Sequence, residues 1–347
     1  MRFYNQQHRF YCGVDLHAKT LHLCVLDQAG EIVRHRGIRA RPEDFLRTIE
    51  PYQKEVVVGA ECMFAWYWLS DLCLEREIPF VLGHALYMRA IHGSKTKNDK
   101  IDSEKIARLL RGGTFPMSYV YPRQMRSTRD LLRRRCFLVR RRGELLAHLN
   151  NTFSQYNVTP PPGKFSYAAN RVDLTKCFDD ASVRRMVQTD VALAADFDKE
   201  LTSVELYLKR NAKVHDPDTF HRLKTVPGIG EILAMVLLYE IHDIRRFADV
   251  GDFVSYARLV RGSHESAGKS KGSPHKKIGN AHLKWAFSEA TTLLMRECEA
   301  AKRLVERKAK KHNKPKAMSV LAAKLGRAVY WMLRRKTAFD VNKLFAC

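Results

Sequence analysis

Four acidic residues in the first third of the sequence are the clearest candidates for chemistry. Asp15 and Glu61 each end a short apolar run that is typical of a strand, and Asp99 and Asp102 lie three residues apart at the start of a helical pattern. An acid at the end of a buried strand is costly unless it is paired or binds a cation. Two divalent cations about 4 Å apart that flank a scissile phosphate need several hard oxygen ligands from separate elements. The acids are a candidate for such a site.

The same acids also have an ordinary structural interpretation. The helix dipole favours carboxylates in a first turn, so Asp99 and Asp102 could be helix-start residues, and Glu61 could simply end a strand. Their spacing alone leaves the metal site and this structural role equally open.

A second candidate for chemistry is the glycine-, serine- and lysine-rich segment 262–280. Glycine lets a backbone approach a phosphate closely, and Ser266 could be a nucleophile if a nearby base activates it. The positive charge of the segment comes from Lys269, Lys271, Lys276 and Lys277. The residues alone favour the simpler alternative, a solvated basic loop that only contacts phosphates.

A long basic helix is predicted over residues 123–158, where arginines interleave with leucines. Between residues 126 and 145 the only acids are Asp130 and Glu144, whereas a solvated helix surface usually mixes both signs. The pattern favours a helix that follows a nucleic-acid backbone over a solvated coiled-coil surface. The arginines expected to bind nucleic acid are Arg126, Arg129, Arg133, Arg134, Arg140 and Arg141.

A glycine-containing turn, Val226-Pro-Gly-Ile-Gly230, precedes an apolar helical run and is typical of a helix-hairpin-helix element. Backbone N–H groups at a helix start suit a phosphate, so Gly228 and Gly230 are further candidate nucleic-acid contacts. Asn280, at the end of the segment 262–280, is also a candidate nucleic-acid contact. The alternative is a turn that only connects two packed helices.

The overall charge is strongly positive, because Lys and Arg outnumber Asp and Glu 61 to 37 in the 347 residues and the net charge is +24. This excess favours a polyanionic partner, and nucleic acid comes before an anionic membrane surface because the basic residues are spread along the chain. The eight cysteines contain no C-x-x-C pair and are expected to be reduced core residues. With no signal segment and no run of about 18 apolar residues, the sequence predicts a cytoplasmic protein.

The candidate acids require a sheet that brings strand ends together. The strand–helix–strand order of the first third indicates an α/β unit with crossover connections. The predicted elements are a β-hairpin at 11–27, a strand at 31–36, a helix at 41–50, a strand at 55–61, a helix at 63–77 and a strand at 78–83.

The rest of the chain is predicted to be mainly helical. Thr159-Pro-Pro-Pro-Gly163 ends the basic helix, and residues 181–213 have the pattern of a long amphipathic arm helix. Two further helices are predicted at 281–309 and 317–335. The predicted domains are 8–122 with the acids, 123–215 as a helical arm, and 216–347 with the serine.

Taken together, these motifs resemble the IS-one-ten family of insertion-sequence transposases, with which the pilin-gene-inverting DNA invertases are grouped. Any one motif would be a weak signal, whereas the set is specific and spans nearly the whole chain in the family's order. The similar stretches are Gly13-Val-Asp15, Val58-Gly-Ala-Glu61, Lys97-Asn-Asp-Lys-Ile-Asp102, Val226-Pro-Gly-Ile-Gly230, Phe253-Val-Ser-Tyr-Ala-Arg-Leu-Val260, and Ser266-Ala-Gly268 with Ile278-Gly-Asn280.

The resemblance implies an RNase-H-like (RuvC-like) DEDD domain with an α/β sheet, a helical coiled-coil arm, and a mainly α C-terminal domain. Ser266 would be the nucleophile that forms a covalent link to DNA. Mg²⁺ would be held by Asp15, Glu61, Asp99 and Asp102. A structured guide RNA from the element would pair with donor and target DNA. A homodimer or homotetramer would cut several strands together, in the bacterial cytoplasm and at the nucleoid.

The serine motif departs from the family pattern in three places. Arg261, His264 and Glu265 stand where the family usually has other residues. These departures leave Ser263 and Ser270 as alternatives to Ser266, which keeps the best register with Gly268 and Asn280.

Three other functions fit part of the sequence. A metal-dependent nuclease such as a junction resolvase shares the acids but does not need the Ser-x-Gly motif. An actin-like sugar kinase or ATPase opens on a similar hairpin, but it would need further phosphate loops and no large positive charge. A nucleic-acid-binding protein with an inactive site would keep its function without Asp15 and Asp102.

Overall fold

A computed structural model describes residues 2–91, 98–212, 214–262, 265–266, 269–270 and 278–345, with only the backbone at 89–91, 265–266 and 269–270. The chain forms two compact units, Met1–Arg123 and Gln124–Cys347. The predicted mixed α/β N-terminal part and largely helical C-terminal part are confirmed. The boundary between residues 215 and 216 stays a prediction.

The first unit contains the sheet. Its described elements are β1 (Phe3–Tyr4), β2 (Phe10–Leu16), β3 (Thr20–Asp27), β4 (Ile32–Arg39), α1 (Pro42–Ile49), β5 (Val56–Glu61), α2 (Trp66–Glu75), β6 (Phe80–Gly83), α3 (Ala85–Ile91), α4 (Asp99–Arg111) and β7 (Phe115–Pro116).

The main sheet has five strands in the order β4-β3-β2-β5-β6. The pairs β2–β3 and β3–β4 are antiparallel, whereas β5 runs parallel to both β2 and β6. A tight turn after Leu16 reverses the chain, with the amide of His17 donating to the carbonyl of Thr20 at 2.9 Å. The valine-rich β5 is buried in the middle of the parallel part, as such strands usually are.

Alternation along β2 sends neighbouring side chains to opposite faces of the sheet. Cys12 and Val14 pack in the same hydrophobic cluster as α1 and α2 residues. Tyr11 packs on the other face with α4 residues such as Ile106 and Leu110. Because Asp15 alternates in step with Tyr11, it belongs to the face that α4 covers.

The second unit is built from helices, and α5 begins at the last residue of the first unit. Its described elements are α5 (Arg123–Gln155), α6 (Ala181–Asn211), α7 (Pro217–Lys224), α8 (Glu231–Ile241), α9 (Val250–Tyr256), β8 (Glu265–Ser266), β9 (Lys269–Ser270), α10 (Ala281–Glu297), α11 (Glu299–Lys311), α12 (Lys314–Arg335) and α13 (Val341–Phe345).

Two cores stabilise this unit. The larger core joins α8, α10 and α12 around Leu237, Phe287 and Leu325. A smaller core around Phe153 and Phe178 closes the ends of α5 and α6 over the segment that contains the proline-rich residues 159–163. The proline-rich residues therefore turn the chain within this unit.

Two predictions from the sequence are corrected here. The single helix expected at 281–309 is two helices, because Cys298 has extended backbone angles (φ −126°, ψ 109°) between α10 and α11. Not every cysteine is a core residue: Cys12, Cys24 and Cys73 are buried, whereas Cys62 is exposed.

Among the described residues, no helix combines the length and the apolar character that crossing a membrane would need.

Candidate metal centre and nucleic-acid-binding surfaces

The sheet and α4 lie very close together at Gly13. A Cβ on Gly13 would lie 2.2 Å from the carbonyl oxygen of Ser103 and 2.3 Å from the amide nitrogen of Ala107. A similar contact exists on β5, where a Cβ on Gly59 would lie 2.5 Å from Leu110 Cδ1. The two nearest atoms to Gly13 belong to the α4 backbone, so only glycine fits there, whereas the neighbour of Gly59 is the end of a leucine side chain that can shift. Gly13 therefore lets α4 lie against the sheet near the ends of β2 and β5, where the acids are.

Asp15 and Glu61 are brought together by the parallel pairing of β2 and β5. Val14 is the register partner of Ala60, so the next residue of each strand is an acid at the same end of the sheet. Glu61 alternates in step with Val57, which packs on the α4 side. The two carboxylates therefore belong to one face of the sheet.

Asp99 and Asp102 lie in the first turn of α4. The side chain of Asn98 caps this helix by accepting a hydrogen bond from the Lys100 amide at 2.9 Å. Lys105 Nζ lies 3.2 Å from Asp102 Oδ1. The first turn thus directs acids toward the end of β2, although the helix dipole also favours them there.

His17 connects the end of β2 with the start of α4. Its Nε2 lies 3.4 Å from Asp15 Oδ2 and 3.5 Å from Asp99 Oδ1. One possible ligand atom from each of these three residues lies within 4.8 Å of the others. His17 is not among the site residues predicted from the sequence, although its position two residues after Asp15 in an extended chain is a signal that both face the same side.

The electrostatics of Asp15 agree with this crowding of acids. Burial raises the pKa of Asp15 above its ordinary value, the neighbouring His17 opposes this, and the charges of Asp99 and Asp102 raise it further. A cation bound beside Asp15 would favour its ionised form and so offset this rise. Oxygen donors with one imidazole form a donor set that fits a divalent metal.

The nucleophile predicted at Ser266 lies in a short hairpin. Ser266 in β8 is the register partner of Lys269 in β9, and Glu265 is the partner of Ser270. Ser263, Lys271, Lys276 and Lys277 lie outside the described residues. The backbone gives Ser266 and Lys269 facing positions, and the nucleophile assignment stays a prediction.

Several residues predicted to bind nucleic acid are instead part of a buried ionic cluster around Glu240. Arg129 donates to Glu240 Oε2 from Nη2 at 2.9 Å, and Arg133 donates to Oε1 from Nε at 2.6 Å. Asn280 Nδ2 donates to Oε2 at 2.7 Å. The carboxylate of Glu240 is 3% exposed and the Arg129 side chain is 8% exposed. The cluster ties α5, α8 and the start of α10 together.

This cluster corrects the nucleic-acid role predicted for Arg129 and Asn280, because both are buried and hydrogen-bonded inside the unit. Asn280 also caps α10, with its Oδ1 accepting from the His282 amide at 2.9 Å. Arg126 is corrected for the same reason, since it is 5% exposed. Glu240 lies within the apolar run of α8, and an acid in such a run is a sequence signal for a buried partner of opposite charge.

Three other arginines of α5 keep an exposed position. Arg134, Arg140 and Arg141 surround the ring of Phe137, with guanidinium carbons 5.3, 5.7 and 5.2 Å from its centre. All three are exposed, and Glu144 pairs with Arg141 at 2.6 Å. Guanidinium groups beside an aromatic ring suit phosphates and unstacked bases. We call Arg134, Phe137, Arg140 and Arg141 the arginine surface.

In the turn before α8, packing requires a glycine at Gly228 but not at Gly230. Gly228 has φ +83°, and a Cβ there would lie 2.6 Å from Leu293 Cβ in α10. Gly230 has no atom within 4 Å of its Cβ position. Glu231 follows at the helix start and pairs with Lys209 at 3.5 Å, and its negative charge opposes phosphate binding there. Gly228 is therefore explained by the alternative role of this turn, a connection between two packed helices.

Comparison with known proteins finds two family models that match this chain. A family model for DEDD transposases, described as Transposase, matches residues 12–158. A second model, described as Transposase IS116/IS110/IS902 family, matches residues 220–306. Together the two models cover both the acidic sheet and the helical unit.

Curated relatives point to the same family. The chain is 25% identical over 338 residues to the transposase for insertion sequence element IS1328 of Yersinia enterocolitica, covering 94% of this chain and 98% of that protein. It is 22% identical over 292 residues to the transposase for insertion sequence element IS1111A of Coxiella burnetii, covering 82% and 77%. The chain belongs to the IS116/IS110/IS902 family of insertion-sequence transposases.

Proposed function

We propose that this transposase is an RNA-guided DNA recombinase that cuts and rejoins strands through a serine–DNA intermediate. The observation that carries the proposal is that acids from β2 and α4 meet at His17, with Glu61 of β5 at the same end of the sheet. Asp15 and Asp99 both lie within 3.5 Å of the same His17 nitrogen. This is the kind of centre that metal-assisted phosphoryl transfer needs.

The sheet topology supports an RNase-H-like assignment for the first unit. Three antiparallel strands continue into two parallel ones in the order β4-β3-β2-β5-β6. The resemblance stated above implies an RNase-H-like α/β sheet that carries the acids. Asp15 lies near the end of β2, the central strand of the five.

The acids would hold Mg²⁺ against a scissile phosphate. When bound, the cation would act as a Lewis acid on the phosphoryl oxygens. Asp15 and Glu61 would supply ligands from strand ends, and Asp99 and Asp102 from the first turn of α4. Gly13 would keep these two ligand sources at a fixed distance by allowing close packing.

Ser266 would carry out the covalent step. Its Oγ would attack the phosphorus, a serine–phosphate bond would form, and the bond from phosphorus to one deoxyribose oxygen would break. The serine hydroxyl would lose its proton to a base, and the leaving oxygen would gain one. Because the ester bond is exchanged rather than hydrolysed, attack by a deoxyribose hydroxyl would rejoin the strand without ATP.

The partners would be donor DNA, target DNA and a structured guide RNA from the element. The net charge of +24 and the arginine surface support a polyanionic partner. We propose a homodimer or homotetramer, because recombination requires several strands to be cut together.

The test is covalent trapping with labelled DNA and the element's RNA, followed by denaturing electrophoresis. We expect an adduct with the wild type and with Ser270→Ala, and none with Ser266→Ala or Asp15→Asn. An adduct in Ser266→Ala would refute the nucleophile assignment.

A metal-dependent RuvC-like nuclease without a covalent step is the second candidate. It is favoured by the acid centre, which could support hydrolysis without the serine. Metal-dependent DNA cleavage by the wild type with no adduct at any time point would select it.

A further inference from the structure

The candidate metal centre contains a nitrogen donor that a site of four acids does not predict. We propose that His17 is a direct ligand of the cation held by Asp15 and Asp99, and that its imidazole makes this position favour Mn²⁺ over Mg²⁺. The inference deepens the proposed metal-dependent function and rests on it.

His17 Nε2 lies between two carboxylates. It lies 3.4 Å from Asp15 Oδ2 and 3.5 Å from Asp99 Oδ1. One N–H group donates well to one acceptor, at 2.7–3.2 Å as a rule. A nitrogen that is almost equally far from two acids, and beyond that range from both, fits a group that shares a cation with them better than a hydrogen-bond donor.

The distances between the three candidate donor atoms fit a single cation. A divalent cation with ligands about 2.1 Å away places its donor atoms roughly 3 to 4 Å apart. The candidate donor atoms of Asp15, His17 and Asp99 lie within 4.8 Å of one another. Small side-chain rotations would bring all three onto one ion.

The backbone fixes the position of His17 independently of any ion. Its amide closes the turn between β2 and β3 by donating to Thr20 at 2.9 Å. Asp15, two residues earlier in the extended chain, faces the same side. Asp99 comes from α4, which Gly13 holds against the sheet. Three ligands on two rigid elements form a preorganised site.

The choice of metal follows from the donor set. Mg²⁺ takes oxygen ligands and binds imidazole weakly, whereas transition metals accept imidazole readily. Mn²⁺ accepts both the carboxylates and the imidazole. Loss of His17 should therefore weaken Mn²⁺ binding more than Mg²⁺ binding.

The experiment is electron spin-echo spectroscopy of Mn²⁺ bound to the full-length protein, together with calorimetric titration of Mn²⁺ and Mg²⁺. We expect modulation from a directly bound ¹⁴N nucleus in the wild type and its loss in His17→Asn. The dissociation constant for Mn²⁺ should rise at least about 10-fold in His17→Asn, and that for Mg²⁺ less than about 3-fold.

The matched control is His148→Asn. His148 also pairs with an acid, Asp190, but it lies in the second unit. This variant should keep both the ¹⁴N signal and the Mn²⁺ affinity of the wild type.

The wild-type spectrum tests the inference even if a variant does not fold. Bound Mn²⁺ without a nitrogen signal, in a protein that still cleaves DNA with metal, would overturn the His17 assignment and leave the proposed function intact. A nitrogen signal that His17→Asn removes, in a protein that shows no DNA cleavage or adduct, would support His17 as a ligand and refute the proposed function. Absence of Mn²⁺ and Mg²⁺ binding in the wild type would overturn both.

Discussion

Gly13 in β2 lies against Ser103 in α4 so closely that a methyl group on Gly13 would be 2.2 Å from the Ser103 carbonyl oxygen. Asp15 lies two residues after Gly13, and Asp102 lies one residue before Ser103. The contact between a glycine and a helix backbone therefore sets the distance between two of the candidate metal ligands.

Gly13→Ala should damage both stability and the metal centre. The added methyl group must push α4 away, because both neighbouring atoms are backbone atoms, and overpacking of this kind costs about 1–3 kcal/mol. We expect a lower free energy of unfolding in urea and weaker Mn²⁺ binding. The matched control is Gly143→Ala in α5, where nothing lies within 4 Å and alanine should stabilise the helix by about 0.5–1 kcal/mol. Unchanged Mn²⁺ binding in Gly13→Ala would show that α4 does not position the acids.

Gly228→Ala and Gly230→Ala should separate packing from phosphate binding in the turn before α8. Gly228 has φ +83° and faces Leu293 at 2.6 Å, so alanine there should lower the melting temperature. Gly230 faces open space, and its substitution should change stability little. If Gly230→Ala reduces DNA affinity at unchanged stability, the turn contacts phosphate after all.

Glu240→Gln should strongly destabilise the second unit at neutral pH. It removes the charge that pairs with Arg129 and Arg133, and breaking a buried ion pair costs about 3–5 kcal/mol. Glu144→Gln is the control, because Glu144 also pairs with an arginine, Arg141, but both side chains are about half exposed, and an exposed pair contributes at most about 1 kcal/mol.

The difference in unfolding free energy between the wild type and Glu240→Gln should depend on pH, and this dependence provides an independent check of the ionic cluster. Burial alone would raise the pKa of Glu240, but Arg133, Arg129 and Asn280 outweigh it and lower the pKa to about 2. A folded-state pKa below the unfolded value of about 4.3 gives stability that is present above that value and is lost as the pH falls toward 2. We expect wild type and Glu240→Gln to converge in unfolding free energy between pH 5 and about pH 2. A constant difference over this range would contradict the ionic cluster.

Substitution of Arg134, Arg140 and Arg141 by alanine should weaken nucleic-acid binding without unfolding the protein. Each lost phosphate contact reduces the slope of log K against log salt by about 0.9, so the triple variant should lose up to about 3 in slope. Fluorescence anisotropy at several salt concentrations measures this slope. A charge-matched control replaces the exposed Lys176, Arg185 and Lys199. Equal slopes in both triple variants would rule out a specific role for the arginine surface.

Local sequence patterns specify the order of the elements and the positions of the acids in them. The apolar runs that Asp15 and Glu61 end placed both acids at strand ends, and the spacing of Asp99 and Asp102 placed both in one turn of α4. These are local properties, because strand and helix periodicity depend on neighbouring residues. The break at Cys298 was not predicted, since neither proline nor glycine marks it.

Which charged residues are exposed and which are buried depends on the packing of distant parts of the chain. Arg129 and Arg134 look alike in the sequence, but Arg129 pairs with Glu240, 111 positions away, and Arg134 stays exposed. His17 becomes a candidate ligand only because α4 brings Asp99 to the end of β2. Periodicity within one helix cannot specify a partner on another, because burial of a charge depends on whether an opposite charge arrives from elsewhere in the fold.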